Sequence, residues 1–532
     1  MNSNQSEQAV AGRLPRRVVI VGETESAWMA AALLSLSAGQ MIRKITVVTA
    51  GDPREEFPGE STLPSFTRLI ANPGLGEHEM MRSCDGTWQM ATQFSDWVRM
   101  DRDFWLPFFG GPDALDQATF FQAWQSERVQ GRLLRPLHSY TMQWGAAIAG
   151  KAPTGFSKRS VINESQAYAF HVDGQGLANW FRQIALALGV EEIRGEVAVV
   201  SPNGRGGVAQ LRLADGALIA GDFFIDCSGH PGVVVSRTNG NAWEPLPNHT
   251  PCSRMISMQL PAGRQILPYT RITAMESGWA WHRPRYSSIS VGCMSSCDTC
   301  SNDMAVRELA ELLLFDGHIS EEQAGSVDLL RESLNPTETL LQPGRRQQFW
   351  RDNVVAIGSA ATVTDPIVNA GRHLSLLGLE LFLDLFPDRN TNADVRDAYN
   401  RKVRVAVDEL SDLAALHYHL NGRADSAFWQ AAKGSALSST LIERLELFDA
   451  TVHLDVNTTD LSGVAAWWFL LAGCQRFPRG PAVTATACPS GFLQQALGDI
   501  VRMHDEQLKD LPMHEEMLDW IHAGTSSLQR SA

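Results

Sequence analysis

The sequence predicts an α/β protein with a helical C-terminal part, and three observations carry this prediction. Residues 18–21 form a β-branched strand that leads through Gly22 into an apolar helix over about 26–36 and a second strand at 45–48. A parallel strand pair needs such a crossover helix. A second short buried strand within 353–361 precedes a glycine-started helix over 365–386, and helices dominate from Ala393 onward. This order of elements is typical of an α/β core that carries a separate helical part.

The remaining segments follow in chain order. Residues 1–15 are polar and predict a disordered tail, residues 53–150 predict a mixture of helix and loop, and residues 169–190 predict a helix with an apolar stripe. Residues 207–229 alternate as a hairpin does, with Ala214, Asp215 and Gly216 at its turn, and residues 253–295 predict further strands. We therefore expect a tail over 1–15, an α/β domain over 16–390 and a helical, substrate-covering region over 391–532.

Composition excludes several classes of protein. The 532 residues are 44% hydrophobic and 20% charged, which is ordinary for a globular chain, and the formal net charge is −14. An acidic chain repels phosphate backbones, so nucleic acid is not an expected partner. Eight cysteines are too few for a disulfide framework, and the longest apolar stretch, residues 463–474, is too short to cross a bilayer. We expect a cytoplasmic protein without a membrane partner.

The first strand–helix turn resembles a dinucleotide-binding turn that has lost its glycines. The pattern G-x-G-x-x-G lets a pyrophosphate approach the backbone, and here its three positions are Gly22, Thr24 and Ala27. Glu23 and Glu25 flank Thr24 and add carboxylates where a phosphate would bind. The ribose-binding acid expected after the second strand is replaced by Thr49, and the nearest acid is Asp52. This turn predicts weak binding of a dinucleotide, or none.

Six short motifs occur in one order along the chain: GESTLP (59–64), AFHVDG (169–174), FIDCSGHPG (224–232), GWAWHRP (278–284), AIGSAATVTDPIVNAGRHL (356–374) and HYHLNGRADSAFW (417–429). Each motif is short, but the ordered set is specific. Together they resemble the flavin-dependent tryptophan halogenases, and the resemblance extends over nearly the whole chain.

This resemblance implies an FAD-binding Rossmann-like module of the aromatic-monooxygenase type, with a mixed sheet and a helical C-terminal part. The implied partners are an aromatic, indole-like small molecule, a flavin reductase, and a second copy or a related halogenase subunit. The matched cofactor positions are Gly22, Ala27, Gly59, Glu60, Ser61, Thr62, Asp226, Gly229, Gly358, Asp365 and Gly371, and the matched or expected substrate positions are Phe108, Trp279, Trp281, Trp467 and Trp468. Glycines and strand-end aspartates at such positions can also serve the backbone alone.

The family's chemistry does not carry over to the matching positions. Gln89 takes the place of the lysine that directs halogenation, and an amide forms no ammonium or haloamine. The family's E-S-T stretch becomes Val368, Asn369 and Ala370, so neither a proton acceptor nor a halide-binding hydroxyl remains. In the W-x-W-x-I-P motif Arg283 replaces the isoleucine, and Leu106 replaces an expected histidine.

A cysteine cluster offers a competing interpretation. CMSSCDTC (293–300) has the C-x₃-C-x₂-C spacing of some iron–sulfur sites. The cluster lies in the middle of the chain, between a predicted strand and a helix at 303–315, so we interpret Cys293 as a buried strand residue and expect no metal site.

Three hypotheses follow. The first is a diverged FAD-dependent oxidoreductase that binds an aromatic ligand, binds FAD weakly and has lost ordinary halogenation. The second is a non-catalytic pseudo-halogenase that acts as a binding or partner subunit. The third is an active halogenase with relocated catalytic residues, for which Lys151, Lys158 and Lys433 are available but match no motif.

Overall fold

The computed structural model describes residues 16–109, 117–133, 135–154, 167–204, 206–238, 241–248, 250–263, 265–387, 393–456, 463–486 and 491–524. The predicted tail (1–15), Lys158 and the predicted domain boundary at 390 lie outside the described residues.

A six-stranded sheet forms the centre of the α/β part. In spatial order its strands are β19 (Trp350–Arg351), β20 (Val354–Ala356), β11 (Phe223–Asp226), β1 (Arg17–Val21), β2 (Lys44–Thr49) and β7 (Glu191–Arg194). All neighbours are parallel except β19 and β20. Helix α1 (Glu25–Ala38) packs against β1 and β2, and it also contacts α6 (Gly174–Ala187) and α10 (Ala370–Asp384). The predicted β-α-β unit is confirmed.

The second large sheet has seven strands and is mixed. Its spatial order is β17 (Thr337–Leu340), β13 (Arg254–Pro261), β16 (Ser288–Ser295), β15 (Gly278–Pro284), β14 (Tyr269–Ala274), β4 (Ala91–Ser95) and β5 (Phe104–Pro107). Only β14 and β4 are parallel neighbours. The prediction of helix and loop over 53–150 is wrong here, because β4 gains its strand partner from a segment far along the chain, which no local pattern reports.

Three smaller sheets complete the strands. They are β8 (Val197–Pro202) with β9 (Val208–Leu213) and β10 (Leu218–Ala220); β12 (Trp243–Glu244) with β18 (Gly344–Arg346) and β21 (Thr362–Val363); and β3 (Thr87–Gln89) with β6 (Ala169–His171). The predicted hairpin is confirmed by the antiparallel pair β9–β10.

The other helices are α2 (Pro64–Ile70), α3 (Glu77–Ser83), α4 (Gln117–Val129), α5 (Met142–Ile148), α7 (Asn302–Phe315), α8 (Glu321–Ala324), α9 (Val327–Leu334), α11 (Ala393–His419), α12 (Ala427–Gly434), α13 (Ser439–Thr451), α14 (Val464–Gly473), α15 (Val483–Thr486), α16 (Phe492–Asp510) and α17 (His514–Ala523). The C-terminal part is thus helical, as predicted. None of the helices in the described part of the chain combines the length and apolarity that a bilayer crossing needs.

Candidate functional site

The turn after β1 is held by the backbone conformation of Gly22 and by the Thr24 side chain. Gly22 has φ +136°, and a Cβ there would lie 2.3 Å from the carbonyl oxygen of Cys227, so only glycine fits. Thr24 is fully buried and is the N-cap of α1: its Oγ1 accepts from the N–H of Ala27 at 3.4 Å and donates to the Cys227 carbonyl at 2.9 Å. Thr24 therefore ties α1 to β11.

The carboxylate of Glu25 is paired inside the protein. Arg372 Nε lies 2.7 Å from Glu25 Oε2 and Arg372 Nη2 lies 2.9 Å from Glu25 Oε1, with side chains only 3% and 4% exposed. Arg372 also donates to the carbonyl of Glu60 and to the carboxylate of Glu55. Glu23 is paired as well, with Arg54 at 2.8 Å. Both carboxylates predicted to oppose a phosphate are thus neutralised by arginines, which the sequence pattern does not reveal.

Residues 54–60, which we call the acidic strap, reach the first turns of two helices. The Glu56 carboxylate accepts from the N–H of Ser26 in α1 at 3.3 Å, and from both N–H and Oγ of Ser359 at 2.7 Å. The Glu60 carboxylate accepts from the N–H of Gly371 in α10 at 2.9 Å. First-turn N–H groups lack partners within the helix and sit at the positive end of its dipole. The strap therefore supplies its own carboxylates where a cofactor's anionic group would bind.

Two glycines predicted to contact a cofactor instead contact the strap. A Cβ at Gly358 would lie 2.4 Å from Glu56 Oε1, and a Cβ at Gly371 would lie 2.3 Å from the Phe57 ring. A third, Gly59 in the strap itself, has φ +74° and lies against the Trp281 ring. Side chains of the protein itself thus occupy the space that these glycines leave open.

Burial opposes ionisation of the strap carboxyls. Desolvation raises the pKa of Glu55 and of Glu56 above the usual range, although Arg372 and the two serines partly offset it. Desolvation also raises the pKa of Glu60 to about 7. The charge of Arg372 and the hydrogen bonds from the N–H groups of Gly371 and Arg372 lower this pKa but do not cancel the effect of burial.

A cavity of about 240 Å³ remains beside the strap, lined among others by Phe57, Glu60, Ser359 and Gly371. Sites for drug-sized ligands are roughly 300–1,000 Å³. This cavity is smaller than that range.

Two predicted cofactor residues, Asp226 and Asp365, make hydrogen bonds within the chain. The carboxylate of Asp226 accepts from the N–H groups of Ser228, Val234 and Val235. Asp365 accepts from the Ile367 N–H and the Tyr418 hydroxyl, and burial raises its pKa to about 6.

Four other predicted cofactor positions lie in turns and in the packing around the strap. The N–H of Ser61 donates to Asn369 Oδ1 at 3.0 Å, and Thr62 pairs with the backbone of Phe170. Gly229 has φ +87° and Ala27 is buried in α1.

The predicted substrate side contains a cavity of only about 60 Å³. Val368 and Phe108 line it, as do Leu106, Asn369 and His417. Gln89 is fully buried nearby: its Nε2 donates to the Ala91 carbonyl at 3.4 Å and to Thr92 Oγ1 at 3.3 Å. Thr92 also lines the cavity. The residues that replace the family's lysine and glutamate are therefore brought to one place, but they offer an amide and a valine.

The four predicted substrate tryptophans are not in the described lining of this cavity. Trp279 Nε1 donates to the Tyr418 hydroxyl at 2.8 Å, and Trp281 Nε1 donates to Ser290 Oγ at 3.3 Å. Trp468 stacks on Phe121 with centroids 5.0 Å apart, and Trp467 lies under the Arg444 guanidinium. All four are buried core residues.

Two buried residues beside the small cavity were not among the predicted site residues. Arg283 is 2% exposed and its Nη2 donates to Asn369 Oδ1 at 3.1 Å, while its Nε and Nη1 find no partner among the described residues. Burial lowers its pKa to about 9. His417 lines the small cavity, and burial lowers its pKa to about 4, so it is neutral at pH 7. Arg283 had a sequence signal, since it replaces an expected isoleucine.

Neither the cysteines nor the alternative lysines add a reactive group to the site. Cys293 lies buried in β16, and within the described ranges no group of three potential ligands is placed to hold a metal. Lys151 Nζ donates to the Leu511 carbonyl at 2.8 Å. Lys433 lies in α12, and neither lysine is in the described lining of the small cavity.

Comparisons with known proteins identify the family of this chain. The tryptophan halogenase family model matches residues 17–490. The chain is 25% identical to tryptophan 6-halogenase ThaL of Streptomyces albogriseolus over 96% of this chain and 99% of that protein. It is similar in structure to BrvH, a flavin-dependent halogenase from Brevundimonas sp. BAL3, with a TM-score of 0.82 and 27% identity over 95% of this chain and 99% of that one. Xcc4156, a flavin-dependent halogenase from Xanthomonas campestris, gives a TM-score of 0.83 and 26% identity over 95% of this chain and 98% of that one. The chain belongs to the tryptophan halogenase family.

Proposed function

We propose that this chain is a non-halogenating member of its family, in which the acidic strap keeps FAD binding weak. The relatives described as flavin-dependent halogenases make FAD the cofactor to expect for this fold. The observation that carries the proposal is the capping of α1 by Glu56 and of α10 by Glu60. A ligand phosphate would have to displace a carboxylate of the chain before it could use either helix end.

The residues in the described conformation do not fit FAD. The Ser26 and Gly371 N–H groups already have carboxylate partners, and Glu56 and Phe57 fill the space next to Gly358 and Gly371. Displacing Glu56 would also leave a buried carboxyl without its three hydrogen bonds, which costs roughly 1–3 kcal/mol for each group left unsatisfied. We therefore propose a Kd for FAD in the micromolar range or weaker.

The substrate side supports the loss of halogenation. Gln89 cannot carry the positive charge that a lysine supplies, and its amide is already engaged with Ala91 and Thr92. Val368 offers no proton acceptor. An indole-sized ligand would also need the 60 Å³ cavity to open. These changes at both sites favour a protein that binds an aromatic ligand, or a partner subunit, without the family's chemistry.

The deciding experiment is an FAD titration of the purified full chain and of Glu56→Ala. The substitution frees the Ser26 and Ser359 N–H groups and removes a carboxylate from the acidic strap. We expect weak binding by the wild type and at least about tenfold tighter binding by Glu56→Ala, the gain expected when about one charge-assisted contact becomes available. Glu443→Ala removes an exposed carboxylate from α13 and is the matched control, with no expected change.

A yellow protein that retains FAD through purification would overturn the proposal. Equal FAD affinity of the wild type and Glu56→Ala would show that the strap does not limit binding.

A further inference from the structure

A larger cavity, of about 570 Å³, lies between β5, α4, α14 and the 3-10 helix Leu137–Tyr140. Among the described residues it shares no lining with either cavity above. Its volume is within the range of small-molecule sites, roughly 300–1,000 Å³. It thus has room for an aromatic molecule without a rearrangement.

Arginines converge on this cavity although the chain carries a net charge of −14. Arg102, Arg128 and Arg135 line it, and none of them makes an ion pair with another described residue. The one acid in the described lining, Asp103, accepts from Gln93 Nε2. The cavity wall therefore has an excess of positive charge, and guanidinium groups bind carboxylates and phosphates with two parallel hydrogen bonds.

Arg128 is held in position by its neighbours. Its Nε donates to Gln125 Oε1 at 2.9 Å, and its guanidinium carbon lies 3.9 Å from the centroid of the Phe477 ring. These contacts occupy one donor and one face, which leaves its terminal nitrogens without a hydrogen-bond partner among the described residues. A preorganised arginine loses less side-chain entropy when it binds an anion.

The other walls are aromatic and contain an unused donor. Trp105, Trp124, Phe469 and Phe477 line the cavity. Trp124 is 4% exposed, and its Nε1 has no hydrogen-bond partner within the described residues. A buried N–H without a partner is rare in folded proteins, and it is commonly explained by a missing water or ligand.

We propose that this cavity binds a small aromatic molecule that carries a carboxylate or phosphate group. The anionic group faces the arginines and the ring packs against the aromatic wall. This inference does not depend on FAD binding or on halogenation, because none of the residues involved belongs to those sites.

Calorimetric titration of the full chain tests the proposal with four probes: 2-naphthoate, 2-naphthyl phosphate, the neutral 2-naphthalenemethanol and acetate. We expect both aromatic anions to bind, and the neutral alcohol and acetate to bind at least about tenfold more weakly, as the loss of a charged hydrogen bond predicts. The better of the two anions identifies the preferred group.

Two variants locate the binding. Arg128→Gln removes the positioned charge, and Ala472→Trp fills the cavity from α14, where Ala472 lines it. We expect each to weaken naphthoate binding about tenfold or more, whereas Arg212→Gln, which removes the same charge from an exposed position on β9, leaves it unchanged. Unchanged circular dichroism and melting temperature establish that each variant is folded.

Three outcomes overturn the proposal. They are the absence of binding by both anions at millimolar concentration, equal affinity for naphthoate and its neutral alcohol, and naphthoate binding that survives both Arg128→Gln and Ala472→Trp.

Discussion

Arg372 holds both carboxylate oxygens of Glu25, at 2.7 and 2.9 Å, and thereby joins the first turn of α10 to the first turn of α1. Two helix ends that would receive a cofactor's anionic groups are thus cross-linked by the chain itself. The pair is almost fully buried, and Arg372 also donates to the Glu55 carboxylate and to the Glu60 carbonyl. Breaking this pair should therefore change the stability of the protein.

Arg372→Met should be strongly destabilising. It leaves the Glu25 carboxylate buried without its partner, and such a loss costs about 3–5 kcal/mol. The double variant Glu25→Gln with Arg372→Met should recover part of this loss, because the uncompensated charge is gone. Urea denaturation measures both values.

The exposed pair of Arg54 and Glu23 is the control for that experiment. The Arg54 side chain is 49% exposed, so Arg54→Met should cost less than about 1 kcal/mol. Equal losses for Arg54→Met and Arg372→Met would contradict the role given to the buried pair.

Glu60→Gln should change how stability depends on pH. The pKa of Glu60 in the folded protein, about 7, lies above its ordinary value of 4.5. As the pH rises from 4.5 to 7 the unfolded chain therefore releases this proton first, and the wild type loses stability that it has in full below pH 4.5. Glutamine mimics the protonated acid, so Glu60→Gln should become more stable than the wild type above pH 7, by about 1.4 kcal/mol for each unit by which the pKa is raised.

The measurement is the free energy of unfolding of the wild type and of Glu60→Gln from pH 4 to pH 8. The difference between the two proteins reports on Glu60 alone, because Asp365, whose pKa is raised to about 6, contributes equally to both. A difference that stays constant over this range would show that Glu60 ionises normally in the fold.

The wild type supplied with reduced FAD, oxygen, bromide and tryptophan should give no bromotryptophan above the background without protein. Gln89→Lys with Val368→Glu should not restore the product either, because the strap still occupies the helix ends. Mass spectrometry of the product reads both results. Bromination by this pair of substitutions alone would show that the flavin site was never impaired, whereas the pair combined with Glu56→Ala is the variant in which activity is expected first.

Thr24→Gly restores the glycine of the dinucleotide pattern, yet it should not improve FAD binding by itself. The Thr24 hydroxyl caps α1 and bonds to the Cys227 carbonyl, so we expect a loss of about 1 kcal/mol or less, while Glu56 still blocks the helix end. Thr24→Ser keeps the cap and serves as the control. Tight FAD binding by Thr24→Gly would identify the threonine, rather than the strap, as the obstacle.

Local patterns predicted much of this fold. The β-branched run at 18–21, the apolar helix after it and the turn at Asp215-Gly216 each carry their structure in neighbouring residues, so β1, α1 and the β9–β10 hairpin follow from periodicity and turn chemistry. Strands β3 and β4 were not predicted, since their partners β6 and β14 lie far away in the chain, and β5 pairs with β4. The four tryptophans expected at the substrate were identified as aromatic by sequence, but only packing shows that they belong to the core.

The sequence by itself determined the α/β architecture, the family, and the absence of a lysine at position 89 and of a glutamate at position 368. Only the tertiary structure decided what the acidic residues do. In sequence Glu25 and Glu56 are 31 positions apart, and Arg372 follows 316 positions later, so no pattern links them. Folding places Arg372 beside the Glu25 carboxylate and the N-terminus of α1 beside the Glu56 carboxylate. A charge's effect depends on its distance to other charges and on its burial, and both are properties of the fold rather than of the residue.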